Sequence, residues 1–561
     1  MSGSTAKAAH HHAVVVSSLG HAADKYPKPA NLTFSYGTAG FRTLASRLPS
    51  VVFRVALLAV LRSKRMEGAS IGVMITASHN PEQDNGVKVV DPSGEMLDQS
   101  WESHATALAN CPTTDSLLST FTTLASHLRV DLSAPASIVY ACDTRPSSKE
   151  LVTALETGLH AFEDVKTLDL GVTTTPVLHY VVKAKNDRSG EYGDPTIDGY
   201  LKKLANAFRT VIGNRGPLSP VYVDCANGVG VKTLTAISEL IGDLLPIKPI
   251  NDSLSTPGAL NSQCGADYVK TRQALPPSVA SAGFLSKPDT RACSFDGDAD
   301  RIVYYYLRDG RDFRLLDGDK IAVMVAMFLG DLVKKSKLDR GDEEEGLSVG
   351  VVQTAYANGS STKYLKSRNI PVTCVPTGVK YLHHAAQKYP IGVYFEANGH
   401  GTVLFSPDAI TLLKNAQPSS PAESTAIKQL LAFSELINQA VGDALSDMLL
   451  VEAVLAHRGW GAAEWDAGYE DLPNKLMKLE VPDRTIFLTE DAERKLREPE
   501  GLQHLIDECV RKVDMGRSFV RPSGTEDCVR IYAEAKSSAD TEALAGNVAE
   551  LVRRASGMTS G

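Results

Sequence analysis

A strand-then-helix pattern recurs along most of this chain, and it leaves few architectures open. "SIVYACDTRPSSKELVTALETGLHAF", residues 137–162, reads as an apolar strand ending at Cys142, a polar turn, and a helix that starts at Ser147 or Ser148. "PVYVDCANGVGVKTLTAISEL", residues 220–240, repeats the plan with glycines in the turn, and another such unit opens at "LSVGVVQTA". Alternation of this kind points to α/β domains with largely parallel sheets. In "CSFDGDADRIVYYYLR" a strand ends at Phe295, an acidic loop follows, and an aromatic, β-branched strand resumes at Ile302. Asp317 and Asp319 are expected to cap the apolar helix "KIAVMVAMFLGDLV", which is assigned to the core. The last hundred residues read strand, helix, "SFVRPSGTEDCVRIYAEAK", helix, a small α+β unit.

A chain of 561 residues is too long for one core, and at about 150 residues per domain it holds three or four. Linkers are read at "KNDRSGEYGDP", "DRGDEEEG" and "NAQPSSPAES", giving expected domains at 1–190, 191–308, 309–455 and 456–561. A formal net charge of -8 argues against a broad nucleic-acid surface, whose affinity comes from basic excess. Anionic ligands must then be met by locally placed arginines and lysines. The eight cysteines have no CxxC pair, as expected of reduced thiols in a cytoplasmic protein. No signal-like run or stretch of about 18 apolar residues is read, so no membrane partner is expected.

Four loops carry the chemistry. "DGDADR" places Asp296, Asp298 and Asp300 on alternate residues, and carboxylates this close repel unless a cation neutralises them. Oxygen ligation of a hard divalent ion is the natural reading, although a solvated acidic turn is the bland one. An EF-hand fails, because its sixth position would be Arg301 and its twelfth Leu307. Three oxygens leave Mg²⁺ short of ligands, and a phosphate oxygen commonly completes its shell.

"ITASHNPEQDNGVK", residues 75–88, holds Ser78 with none of the glycines that a hydrolase nucleophile elbow needs. By composition it is an ordinary loop. A phosphorylated Ser78 would supply the missing metal ligand, and it would explain why no activating base stands beside the serine. "RPSGTEDCVR" offers Arg521, Ser523, Gly524, Thr525 and Arg530 around a glycine turn, a set suited to a phosphate dianion. "GVYFEANGHGTVLF" reads as a hairpin with Glu396, Asn398 and His400 on its turn, acceptors and donors suited to sugar hydroxyls.

Together "TASHNP", "DGDADR", "EANGHG" and "RPSGTE" resemble the four signatures of the α-D-phosphohexomutase superfamily, from "YGTAGFR" at Tyr36–Arg42 through Arg530. The resemblance implies three similar mixed α/β domains around a central cleft and a fourth, C-terminal α+β domain of TBP-like type. It also implies that Ser78 is the phosphoserine, that Asp296, Asp298 and Asp300 bind Mg²⁺ with it, and that Lys88 stands where the family has a proposed general base. His79 and Arg301 would neighbour the transferring phosphoryl group, and Arg42, Thr377 and Gly378 would join the substrate contacts. In most of the superfamily a "DTR" segment precedes the serine loop, whereas here "CDTRPSS" follows it. That order resembles the eukaryotic phosphoacetylglucosamine mutase branch. Ala397 beside Glu396 is small enough to leave room for a 2-acetamido group.

The implied reaction passes the phosphoryl group of Ser78 to N-acetylglucosamine 6-phosphate, turns the resulting sugar 1,6-bisphosphate, and takes back the other phosphate to leave the 1-phosphate, a step towards UDP-N-acetylglucosamine. Three alternatives stay open: a phosphoglucomutase or phosphomannomutase, a metal-dependent sugar phosphatase, and a non-catalytic phosphosugar-binding protein. The phosphatase fits less well, since Asp300 stands where threonine or valine is expected after DxD.

Overall fold

A computed structural model describes residues 16–339, 346–523 and 527–558. The chain forms two compact units: residues up to Leu315 with Glu435–His457, and Leu316–Ser434 with Arg458 onward.

The first unit contains two five-stranded mixed sheets. In one, Ser70–Ile75, Ala136–Cys142 and Val165–Val172 run parallel, while Asp84–Val90 pairs antiparallel with both Ser70–Ile75 and the edge strand Phe41–Leu44. The helix Pro49–Arg65 lies over this sheet with every residue from Val51 to Leu61 buried. Its run "VVFRVALLAVL" is hydrophobic all round apart from Arg54, as a helix enclosed by protein requires. Arg54 survives there by donating to the carbonyls of Tyr26 and Ser50, at 3.0 and 2.8 Å.

The second sheet has Ile247–Ile250, Val221–Asp224 and Arg291–Phe295 parallel, with Ile302–Arg308 antiparallel to the last. Strands that end at Phe295 and resume at Ile302, as read from the sequence, leave the acidic loop joining the ends of two neighbouring strands inside the sheet. The helix Ala444–Arg458 packs in this unit, its Glu452 carboxylate accepting from Arg291 Nε at 3.0 Å and from the Tyr304 hydroxyl at 3.1 Å. At the start of that helix the Ala444 amide donates to the carbonyl of Ala299, inside the acidic loop, at 3.0 Å.

The second unit has a four-stranded sheet in which Val372–Cys374, Val349–Gln353 and Ile391–Phe395 run parallel and Gly401–Phe405 returns antiparallel. Its C-terminal part is an antiparallel sheet of Asn474–Glu480, Cys528–Glu534 and Arg517–Pro522, covered by helices Leu502–Arg511 and Ser538–Ala555. The molecule is thus mixed α/β with an α+β end, the fold class expected. All eight cysteines are free, and no described helix is long and apolar enough to cross a membrane.

Two local expectations change. Asp317 alone caps the helix Gly318–Ser336, accepting from the amides of Asp319 and Lys320; Asp319 lies in the first turn, and its carboxylate accepts from the Asn358 amide at 2.7 Å. The expected linker 415–424 is partly helical, because Pro421 starts a helix to Leu436 with Glu423 folded back on Ser419.

Candidate active site

Ser78 sits at the end of strand Ser70–Ile75 with φ of 50°, in the left-handed region, and its side chain is almost wholly buried. A left-handed serine costs free energy unless its surroundings hold it. Three groups do so. Thr76 Oγ1 accepts from the Ser78 amide at 3.0 Å and donates to Asp143 Oδ2 at 2.7 Å. Arg145, paired with Asp143, donates to the carbonyls of Ser78 and Asn80 at 3.1 and 2.7 Å. Asn261 Nδ2 reaches the same two carbonyls at 2.8 and 3.0 Å.

Held this way, the Ser78 hydroxyl donates to Asp296 Oδ2 at 2.5 Å. The two loops also meet backbone to backbone, and a Cβ on Gly297 would lie 2.6 Å from the Ser78 carbonyl oxygen, so only glycine allows the approach. Asp296 Oδ1 is taken by the amides of Asp300 and Arg301, at 3.0 and 3.2 Å. Its remaining oxygen is therefore the one presented to the serine.

One ligand oxygen from each of Asp296, Asp298 and Asp300 lies within 4.8 Å of the others, and all three side chains are buried. Burial, then the charges of Asp300 and Asp298, push the Asp296 carboxyl well above its ordinary range. A cation removes that conflict. Among the described residues Asp298 Oδ1 is buried with no hydrogen-bond partner, an acceptor left over for an ion. All-oxygen, carboxylate-rich donors fit Mg²⁺.

Lys88 Nζ lies 3.5 Å from both Asp298 Oδ2 and Asp300 Oδ2, and Arg301 Nε lies 3.9 and 3.8 Å from the carboxylates of Asp296 and Asp300. His79 Nδ1 is 3.4 Å from Ser78 Oγ. Burial, then the neighbouring Arg301 and Arg42, push this ring down to about 2, so it is neutral at physiological pH. Arg42 reaches the serine loop by donating to Asn80 Oδ1 at 3.1 Å. Ser78, His79, Lys88, Arg42, Arg301 and the three aspartates thus form one cluster within the first unit.

Sequence reading missed the supports of this cluster. Thr175 is fully buried, its hydroxyl donating to Asp298 Oδ2 at 2.6 Å and its amide to the Asp298 carbonyl at 3.2 Å. Groups that orient a metal ligand typically change affinity by roughly ten- to a hundredfold when lost. Thr175→Val is therefore expected to weaken Mg²⁺ binding about tenfold in calorimetry, with Thr175→Ser restoring it. A valine variant that melts normally and binds Mg²⁺ as tightly as the parent would remove Thr175 from this role. Asp143 and Arg145 were visible only as the "DTR" string, and Asn261 carried no sequence signal at all.

In the second unit the hairpin between Ile391–Phe395 and Gly401–Phe405 is closed by the Glu396 amide on the His400 carbonyl, at 2.8 Å. Asn398 Oδ1 accepts from the His400 amide at 2.9 Å. Glu396, Ala397 and Asn398 are half-buried, whereas His400 is buried. The helix beginning at Gly318 abuts this turn, where a Cβ would come 1.9 Å from the Glu396 carbonyl oxygen.

Arg521 and Arg530 lie opposite each other on antiparallel strands, which puts both side chains on one face. Ser523 follows at the strand end, its amide donating to the Cys528 carbonyl at 2.9 Å. Gly524 and Thr525 fall outside the described residues. Gly378 precedes the helix Val379–Ala386 with φ of 136°, and the Thr377 amide beside it donates to Glu493 Oε2 at 2.8 Å. Glu493 Oε1 is in turn 2.8 Å from Arg521 Nε, so Thr377 and Arg521 meet through one carboxylate.

Models described as phosphoacetylglucosamine mutase AMG1 domain II and domain III match residues 199–303 and 317–460. Models of the phosphoglucomutase/phosphomannomutase α/β/α domain I match 55–113 and 108–191, and that of the C-terminal domain matches 476–551. The chain is 48% identical over 544 residues to a phosphoacetylglucosamine mutase of Candida albicans, covering 94% of this chain and 98% of that one. A human relative of the same name is 47% identical over 538 residues, covering 95% and 96%. The crystal structure of Aspergillus fumigatus N-acetylphosphoglucosamine mutase with GlcNAc-6P and magnesium superposes with a TM-score of 0.91 at 49% identity, covering 97% and 99% of the two chains. An N-acetylglucosamine-phosphate mutase of the α-D-phosphohexomutase superfamily, in its product complex, gives 0.90 at 48% identity, covering 96% and 99%. The resemblance read from four loops is borne out along nearly the whole length, and the chain belongs to the phosphoacetylglucosamine mutase family of the α-D-phosphohexomutase superfamily.

Proposed function

We propose that this chain interconverts N-acetylglucosamine 6-phosphate and N-acetylglucosamine 1-phosphate through a phosphoserine at Ser78 and a sugar 1,6-bisphosphate. The observation that carries the reading is the Ser78 hydroxyl seated 2.5 Å from Asp296 beside two further buried aspartates. The four matched models support a division into four domains near residues 190, 308 and 455.

Mg²⁺ held by Asp296, Asp298, Asp300 and an oxygen of the phosphoserine would offset charge on the leaving oxygen. The chain's own groups do the rest. The substrate hydroxyl attacks phosphorus, the bond from phosphorus to Ser78 Oγ breaks, and the hydroxyl's proton ends on the serine once a base has carried it. Lys88 and neutral His79 are the groups near enough to Ser78 or its metal loop to move that proton, while Arg301 and Arg42 place positive charge beside the phosphoryl oxygens. Glu396, Asn398 and His400 are assigned to sugar hydroxyls. The non-reacting phosphate is assigned to Arg521, Ser523, Gly524, Thr525 and Arg530, with Thr377 and Gly378 beside them. Return of the second phosphate to Ser78 reverses the same steps, so no net water or cofactor is consumed.

Arg521→Ala is expected to weaken binding of both monophosphates by roughly ten- to a hundredfold, since a guanidinium grips phosphate through charge-assisted hydrogen bonds. Unphosphorylated N-acetylglucosamine should bind the variant as it binds the parent. Calorimetry showing both monophosphates bound as tightly as before would take the phosphate subsite away from this loop.

The N-acetyl sugar is favoured over glucose or mannose phosphates by the small Ala397 beside Glu396 and by the names of the relatives. With Mg²⁺ and a trace of sugar bisphosphate, kcat/KM should be higher for N-acetylglucosamine 6-phosphate than for glucose 6-phosphate. The reverse order would make the chain a hexose mutase. Function in the cytoplasm, feeding UDP-N-acetylglucosamine synthesis, belongs to the same proposal.

A further inference from the structure

Glu493 stands where a phosphate is expected to bind. It lies on the turn between strands Leu488–Glu490 and Lys495–Glu498, and three consecutive residues there, Asp491, Ala492 and Glu493, have φ of 51°, 55° and 63°. None is glycine, so each holds a conformation that side chains disfavour, and such runs persist only where the surroundings impose them. The Arg494 guanidinium fixes the turn through the Asp491 carbonyl at 3.0 Å and the Asp491 carboxylate. The turn projects the Glu493 carboxylate between the Arg521 guanidinium, an ion pair with Nε at 2.8 Å, and the Thr377 amide, which donates to it at 2.8 Å. A guanidinium and a backbone amide at the start of a helix are the donors a phosphate would take.

We propose that Glu493 is the resident anion of the phosphate subsite: substrate phosphate displaces it, and it takes Arg521 back each time the phosphate leaves. The proposal rests on reading the Arg521 loop as that subsite. A mutase of this kind must release its distal phosphate in mid-reaction, so that the bisphosphate can turn round. Leaving a guanidinium with 20% side-chain exposure bare at that moment would be costly, and the carboxylate, 18% exposed, supplies the replacement partner. Glu493 then weakens phosphate binding and speeds release.

The test measures inorganic phosphate affinity by calorimetry, and KM with kcat for N-acetylglucosamine 6-phosphate, in the parent and three variants. Glu493→Gln, which keeps the shape, is expected to bind phosphate about three- to tenfold more tightly, with KM and kcat both reduced. Glu493→Asp keeps the charge but shortens the reach, and it should also bind phosphate more tightly than the parent. Arg521→Ala should bind phosphate more weakly. Loss of affinity in Arg521→Ala, with parental affinity in Glu493→Gln, overturns the displacement and leaves the subsite standing. A gain in Glu493→Gln without one in Glu493→Asp reduces Glu493 to charge repulsion and also overturns it. Unchanged affinity in Arg521→Ala removes the subsite and the proposal with it.

Discussion

Ser78→Ala is expected to lower mutase turnover by at least about 10⁴-fold, because it removes the group proposed to carry the phosphoryl group between the two ends of the sugar. The change removes one hydroxyl that donates to Asp296. It leaves the left-handed turn braced by Thr76, Arg145 and Asn261, and a lost buried hydrogen bond costs about 1–3 kcal/mol. That is a fraction of a typical folding free energy of about 5–15 kcal/mol, so the variant should still fold and bind Mg²⁺. Intact-mass spectrometry of the parent should show one phosphate, mapping to Ser78, and the variant should show none. Turnover in the alanine variant within tenfold of the parent, by the principle that loss of a nucleophile is far costlier, would end the phosphoserine mechanism.

The second large effect is expected at Asp298. Its Oδ1 is buried without a hydrogen-bond partner among the described residues, while Oδ2 accepts from Thr175 and lies beside Lys88. Asparagine keeps the shape, removes a negative charge, and must aim an amide nitrogen either at the ion or at the Thr175 hydroxyl and Lys88. Turnover is expected to fall by roughly 10²–10³-fold, with the Mg²⁺ concentration for half-maximal activity raised. The readout is the Mg²⁺ dependence of kcat. An asparagine variant with the parent's Mg²⁺ curve would make this loop structural.

The parts of this site legible in the sequence are those whose chemistry is local. Asp296, Asp298 and Asp300 announce themselves by spacing, and the strands ending at Phe295 and resuming at Ile302 were readable from β-branched and aromatic runs. What holds those loops was not legible, because it is made across long chain separations. Asn261 reaches back to Ser78, Thr175 forward to Asp298, and Ala444 to Ala299, and each is an ordinary residue until the fold brings it there. Composition also misled at Ser78, which sits in what reads as an ordinary loop yet is buried against the aspartates. Glu493 shows the same limit in another form. A run of Asp, Ala and Glu gives no hint of three left-handed residues, since the contacts that hold them, from Arg494 to Asp491 and from Thr377 and Arg521 to Glu493, appear only in the fold.

The transfer of phosphate through Ser78 can be followed directly. Enzyme carrying radiolabelled phosphate on Ser78, mapped by peptide analysis, is mixed in a single turnover with unlabelled N-acetylglucosamine 6-phosphate and Mg²⁺. A phosphoserine carrier predicts that label leaves the protein at the rate of turnover, appears first in the sugar bisphosphate and then in N-acetylglucosamine 1-phosphate, while unlabelled phosphate replaces it on Ser78. Accumulation of the 1-phosphate with the label still on the protein would contradict it.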